Sequence, residues 1–71
     1  MNTNPEARDA SARLNRAALM LATSVDVQDR IANDPTHPAD RSERAARLRA
    51  EHYAEDLREF REALTEWRSN F

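Results

Sequence analysis

The chain has 71 residues, enough for one small domain, and it has no cysteine, which excludes a disulfide framework and a thiolate metal site. All of its 11 basic residues are arginine, and a net charge of −2 argues against generic binding to nucleic acid or anionic membranes. No apolar run is long enough for a membrane span and no signal-peptide pattern is present, so a cytoplasmic protein is expected. Glycine is absent while Ala, Arg, Glu and Leu dominate, which favours an all-α fold.

The first predicted helix spans about residues 5–33, and residues 1–4 are expected to fray. Asn4 is a favourable N-cap, Pro5 suits the first helical position, and Glu6 lies near the positive end of the helix dipole. The apolar residues of this helix occupy two sides, more than one partner helix can cover. The main side contains Ala7, Ala10, Leu14, Ala17, Ala18, Leu21 and Val25.

One interruption of the first helix is conceivable at Thr23-Ser24. Thr23 with Asp26 three residues later has the spacing of a capping box, which would restart the helix there. The alternative is a continuous helix, which is favoured because the apolar pattern crosses this point without a phase break.

A connector is predicted over residues 34–40. Pro35 and Pro38, preceded by Asn33 and Asp34, end one helix and prevent an immediate restart. Either Asp40 or Ser42 can cap the second helix, which is predicted over about residues 41–69.

The second predicted helix has the most regular apolar pattern of the chain. Its apolar residues are spaced alternately four and three apart, without Gly or Pro, as in a heptad repeat. We call this set the heptad stripe: Ala46, Ala50, Tyr53, Leu57, Phe60, Leu64, Trp67 and Phe71.

Two helices of similar length joined by a short connector predict an antiparallel helical hairpin that forms a single domain over residues 1–71. A chain this small rarely obtains sufficient stability from its own core, and neither disulfide nor metal is available. We therefore expect a homodimer in which two hairpins form a four-helix bundle. The second apolar side of the first helix supplies the predicted self-association residues Leu19, Met20, Val27 and Ile31.

The face of the second helix opposite the heptad stripe is rich in carboxylates. It can be a solvated face, a surface that docks on a basic partner protein, or a set of partners for arginines of a second subunit. The pairs Glu43–Arg47, Glu55–Arg58 and Arg58–Glu62 have the helical spacing of ion pairs. We call these carboxylates the acidic stripe: Glu51, Glu55, Glu59, Glu62 and Glu66.

A second candidate for partner binding is the aromatic C-terminal end, Trp67 and Phe71. Tryptophan is favoured at interfaces because it buries a large apolar area and keeps one polar N–H. The alternative is that both rings pack on the small residues Ala7 and Ala10 of the first helix.

The sequence offers no pattern for catalysis, cofactor binding or metal binding. His37 and His52 are the only imidazoles, and neither has the Glu-x-x-His spacing of a di-iron bundle. No serine has a histidine at a spacing that suggests a base, and no glycine-rich loop is present for phosphate. A non-enzymatic protein is expected.

The expected function is that of a protein–protein interaction module, a small acidic regulator or inhibitor. Proteins of this size and composition are often encoded by phages or mobile elements and block a host nucleic-acid-handling machine. One alternative is a small dimeric nucleic-acid-binding protein, and another is a structural or accessory subunit of a larger assembly. The nucleic-acid-binding alternative would use the basic run Arg41, Arg44, Arg47 and Arg49.

Overall fold

The computed structural model describes residues 4–71 and contains two α-helices, α1 (Pro5–Asn33) and α2 (Glu43–Ser69). They pack against each other antiparallel and form a hairpin with dimensions of 48 × 19 × 13 Å. The predicted all-α hairpin is therefore confirmed. Of the four residues that were expected to fray, Asn4 is the N-cap of α1, and residues 1–3 lie outside the described residues. Neither described helix has a stretch long and apolar enough to cross a membrane.

Both helices begin at side-chain caps. The side-chain oxygen of Asn4 accepts a hydrogen bond from the backbone N–H of Glu6 at 2.9 Å. The hydroxyl oxygen of Ser42 accepts one from the backbone N–H of Ala45 at 3.2 Å, and Asp40 in turn accepts from the N–H of Ser42 at 2.8 Å. Of the two predicted caps, Ser42 is therefore the N-cap, and α2 begins at Glu43 instead of near residue 41.

Helix α1 is continuous through Thr23-Ser24, so the alternative of a broken helix is wrong. The Thr23 hydroxyl donates to the carbonyl of Leu19 at 2.8 Å, within the same helix. The Ser24 hydroxyl donates across the hairpin to the carboxylate of Asp56. Both hydroxyl groups thus have partners that are compatible with an uninterrupted helix, and neither caps a new one.

The connector is held by one arginine. The guanidinium of Arg41 donates to the backbone carbonyls of Ile31 at 3.2 Å, Asp34 at 2.8 Å and His37 at 2.9 Å. Carbonyls at a helix C-terminus have no partner within the helix, and a cation there also complements the helix dipole. Arg41 therefore fixes the end of α1 and the path of the connector towards α2.

The interior of the hairpin consists of alanine. The only described residues that are buried are Ala7, Ala10 and Ala17 of α1 and Ala63 of α2. No described side chain larger than alanine is fully buried, and several large hydrophobic residues are exposed. The radius of gyration is 15.8 Å, compared with about 11 Å for a compact domain of this length. The hairpin is therefore elongated and has almost no core of its own.

The seam between the helices overlaps the heptad stripe but is centred slightly to one side of it. Ala63, which is not part of that stripe, is 0 % exposed, whereas Ala46 and Ala50, which are part of it, are exposed. Leu57 and Leu64 are half-buried at one edge of the seam. The seam thus includes the half-buried Tyr53, Phe60 and Trp67 of the heptad stripe, but its most buried residue on α2 is Ala63, which lies beside the stripe. The physical reason is that the distance between two helix axes depends on the side chains at the contact, so alanine allows a closer approach than leucine.

Candidate interaction surfaces

The seam has two flanks of different chemistry. On one side, which we call the charged flank, a shallow groove is lined by ionic residues of both helices together with Met20. On the other side, which we call the apolar flank, a groove lies between α1 and Phe60 of α2. The groove of the charged flank contains Arg13, Arg16, Met20, Glu55 and Glu59. The groove of the apolar flank is lined by Ala18, Leu21, Ala22, Val25 and Phe60, together with the carboxylates Asp26 and Asp29 of α1.

Arg13 of α1 is the central cation of the charged flank. Its guanidinium donates to the carboxylate of Glu66 and lies 3.6 Å from the carboxylate of Glu62 and 3.9 Å from that of Glu59. The hydrogen bond to Glu66, followed by the charges of Glu66, Glu59 and Glu62, raises the pKa of Arg13 above its ordinary value. Arg13 therefore joins the acidic stripe of α2 to α1.

Arg58 neutralises the same stripe from within α2. It lies 2.5 Å from Glu55, 3.5 Å from Glu62 and 3.9 Å from Glu59. Its hydrogen bond to Glu55 is the main reason why the pKa of Arg58 is raised. The pairs Glu55–Arg58 and Arg58–Glu62 were predicted from helical spacing and are confirmed. The third predicted pair is confirmed as well, because Arg47 lies 3.6 Å from Glu43.

Most of the acidic stripe is thus paired within the hairpin. Glu59 and Glu62 each lie near both arginines, Glu66 binds Arg13, and Glu55 binds Arg58. Among the described residues, Glu51 has neither a hydrogen bond nor an ion pair. Arg13 was not predicted as part of this surface, although aligning two antiparallel helices end to end places residue 13 near residue 62.

A second polar contact crosses the seam between Ser24 and Asp56. The Ser24 hydroxyl donates to the Asp56 carboxylate, and both residues are half-buried. Polar pairs inside a helix–helix seam fix the register of the two helices, because sliding would leave a buried group without its partner. This pair was also missed, since Asp56 had been assigned to neither the heptad stripe nor the acidic stripe.

The aromatic end is partly packed and partly open. The rings of Trp67 and Phe71 lie with centroids 4.9 Å apart, and the indole N–H of Trp67 donates to the Ser11 hydroxyl at 3.2 Å. Trp67 is half-buried, whereas Phe71 is 67 % exposed beside Ala7 and Arg8. Trp67 thus anchors the end of α2 to the start of α1, and Phe71 remains accessible.

Of the four predicted self-association residues, Met20, Val27 and Ile31 are on one side of α1 by helical periodicity, and Leu19 is not. Leu19 is 63 % and Met20 is 55 % exposed, Val27 is 38 % exposed, and Ile31 is half-buried. Met20 lies in the charged flank, whereas helical periodicity places Leu19 on the outer surface of α1. Val25, which was assigned to the main apolar side of α1, is 48 % exposed in the apolar flank.

The basic run at the start of α2 is largely engaged within the chain. Arg41 binds three backbone carbonyls, Arg49 donates to the carbonyl of Asp40 at 2.7 Å, and Arg47 pairs with Glu43. Arg44 has no hydrogen bond or ion pair with another described residue. Within residues 4–71 there is also no group of three or more His, Asp or Glu side chains positioned to hold a metal ion.

A two-helix hairpin with an alanine seam, one charged flank and one apolar flank defines a class of small helical modules, without specifying a chemistry. No protein-family model, curated protein or solved structure matches this chain.

Proposed function

We propose that this protein is a non-enzymatic protein–protein interaction module, a small acidic regulator or inhibitor that acts as a dimer of hairpins. The observation that carries the proposal is the absence of a core: within residues 4–71, no side chain larger than alanine is fully buried. A folded chain with this arrangement gains most of its apolar burial from contact with another polypeptide.

Dimerisation into a four-helix bundle covers part of the exposed hydrophobic surface of α1, including Val25, which is 48 % exposed in the hairpin. Burial of apolar surface yields roughly 25 cal/mol per Å², so the hairpin gains stability in proportion to the area that a second hairpin covers. Bundles of this kind surround their apolar side chains with four helices and leave the charged faces outside. In such a dimer, the ionic side chains of each hairpin stay available for a target.

The proposed target is a protein with a basic surface, such as one that handles nucleic acid. The support is the net charge of −2 and the acidic stripe along α2. Because Arg13 and Arg58 already neutralise much of that stripe, the attraction is moderate and depends on the ionic strength. Glu51 and Glu55 contribute most of it, since Glu51 is unpaired among the described residues and Glu55 contacts only Arg58.

Affinity capture from a cell lysate at low and high salt tests this role. Wild-type protein is expected to retain a target at low salt and release it at high salt. The variant with both Glu51→Gln and Glu55→Gln is expected to retain less of it. A control with Glu6→Gln and Asp9→Asn removes the same charge from exposed positions of α1 that line neither flank and is expected to behave as wild type. A target that is retained equally by both variants would overturn the assignment of the docking surface to α2.

A further inference from the structure

The apolar flank is a mainly apolar strip beside the seam. Ala18, Leu21, Ala22 and Val25 of α1 line it together with Phe60 of α2. One helical turn on either side of Phe60 lie Leu57 and Leu64, which are half-buried at the same edge of α2. Two carboxylates of α1, Asp26 and Asp29, also line this groove, and both are exposed. Ala22 and Val25 are both exposed in the hairpin.

The exposed area of the hairpin matches what a dimer would need. The chain exposes 5612 Å², whereas a compact folded protein of 8.2 kDa exposes about 4,500 Å². A compact protein of twice this mass exposes about 7,500 Å², which is roughly 3,700 Å² less than two separate hairpins. That difference falls within the range of about 2,000–5,000 Å² that obligate homodimers bury.

A two-fold dimer brings the same patch of both subunits together, so the patch must be complementary to itself. The apolar flank comes closer to this requirement, because five of its seven lining residues are apolar and its two carboxylates already have partners within α1: Asp26 pairs with Arg30 and Asp29 accepts a hydrogen bond from Asn33. The charged flank does not meet it. Contact between two copies would bring Glu59 and Glu62 close to their own equivalents, and their arginine partners are already engaged within each hairpin.

We propose that a second copy of this chain binds on the apolar flank, so that Ala22, Val25 and Leu64 become buried while Leu19 and Met20 remain at the surface. This inference rests on the dimer proposed above and assigns its interface. It differs from the sequence-based prediction, in which Leu19 and Met20 are self-association residues. The bundle that results has an interior of apolar-flank residues from four helices, and both charged flanks lie outside.

Cysteine accessibility tests the interface without disturbing it. The chain has no cysteine, so Ala22→Cys introduces one thiol on the apolar flank and Ala12→Cys introduces one at an exposed position of the same helix. Both alanines are exposed in the isolated hairpin. In the dimer, N-ethylmaleimide is expected to alkylate the thiol at position 22 about tenfold more slowly than the thiol at position 12, because thiol reactivity depends on exposure. Equal rates in a dimeric protein would overturn the interface.

A pair of charge substitutions gives the second readout. Val25→Glu is expected to convert the dimer to a monomer of 8.2 kDa, whereas Met20→Glu is expected to leave the dimer intact. Dissociation by Met20→Glu but not by Val25→Glu would overturn the assignment to the apolar flank and leave the dimer itself standing. A wild-type protein that is monomeric at every concentration would overturn both the interface and the proposed dimer. The two failures are therefore distinguishable by the mass of the wild-type protein.

Discussion

Arg13 illustrates how one side chain defines a surface. It is the only arginine of α1 that reaches across the seam in the described part of the chain, and it contacts three carboxylates of α2. Because these groups are partly exposed, water and salt screen each contact, and only their combination gives measurable stability. The network also determines how negative the charged flank is, since without Arg13 three carboxylates would lie side by side.

Replacing Arg13 by methionine is expected to lower the urea midpoint of unfolding at low salt. The variant keeps most of the aliphatic stem but leaves Glu59, Glu62 and Glu66 without a cross-helix cation. High salt is expected to reduce the difference from wild type, because it screens the repulsion among the carboxylates. Arg16→Met is the matched control, since Arg16 lies on the same flank without an ion pair to another described residue. Equal midpoints for both variants would show that the Arg13 network contributes nothing.

Ala63 determines how closely the helices approach. It is 0 % exposed in the seam, so Ala63→Leu must force the helices apart and is expected to cost about 1–3 kcal/mol. Ala54→Leu adds the same side chain at an exposed position of α2 and is expected to change stability by less than about 0.5 kcal/mol. Thermal unfolding followed by circular dichroism measures both. A tolerated leucine at position 63 would mean that the seam is not close-packed there.

At the scale of elements, the ends of the helices were predictable because caps depend on local chemistry. The capping residues Asn4 and Ser42 are recognisable from the few residues around them, and both are N-caps in the structure. Which face of α2 contacts α1 was not predictable from local chemistry. The heptad stripe was identified from the hydrophobicity of its residues. The face of α2 that contacts α1 is instead the one whose small side chains allow the closest approach of the two helices. That side is known only once the alanines of α1 are placed opposite Ala63.

The connector makes the hairpin sensitive to acid. Thr36 donates hydrogen bonds from its hydroxyl and then its backbone N–H to Asp34, and this lowers the pKa of Asp34 below its ordinary value of 3.8. Hydrogen bonds from Ser42, first that of the backbone N–H, lower the pKa of Asp40 in the same direction. Since the unfolded chain then binds these protons more readily than the folded chain, the contribution of both groups is complete above pH 3.8 and is lost as the pH falls below it.

A double variant with Asp34→Asn and Asp40→Asn tests this dependence. At neutral pH it is expected to be less stable than wild type, because the ionised acceptors are gone. As the pH falls through the lowered pKa values, the wild-type protein loses the same contribution, so the difference between the two proteins is expected to shrink. Urea unfolding at neutral pH and at a pH well below 3.8 gives both differences. A difference that is constant with pH would contradict the role assigned to these carboxylates.

At the scale of the whole molecule, the hairpin has the secondary structure of a folded domain without the interior of one. The two-helix architecture followed from the connector and the periodicity of the sequence. The lack of large buried side chains was not predictable from the sequence, because it depends on how the apolar residues divide between the seam and the flanks. Leu19, Met20 and Val27, which were predicted to lie outside the contact between the helices, are each exposed by more than a third. Val25, which was predicted on the main apolar side, is 48 % exposed as well, and the sequence pattern alone did not distinguish it from a core residue.

The most direct test of this account is the solution mass measured by light scattering over a dilution series, with circular dichroism on the same samples. We expect a helical species of about 16 kDa, twice the 8.2 kDa of the chain, whose helix content falls on dilution as the dimer dissociates. A stably helical monomer of 8.2 kDa at every concentration would contradict the claim that the hairpin requires a second copy.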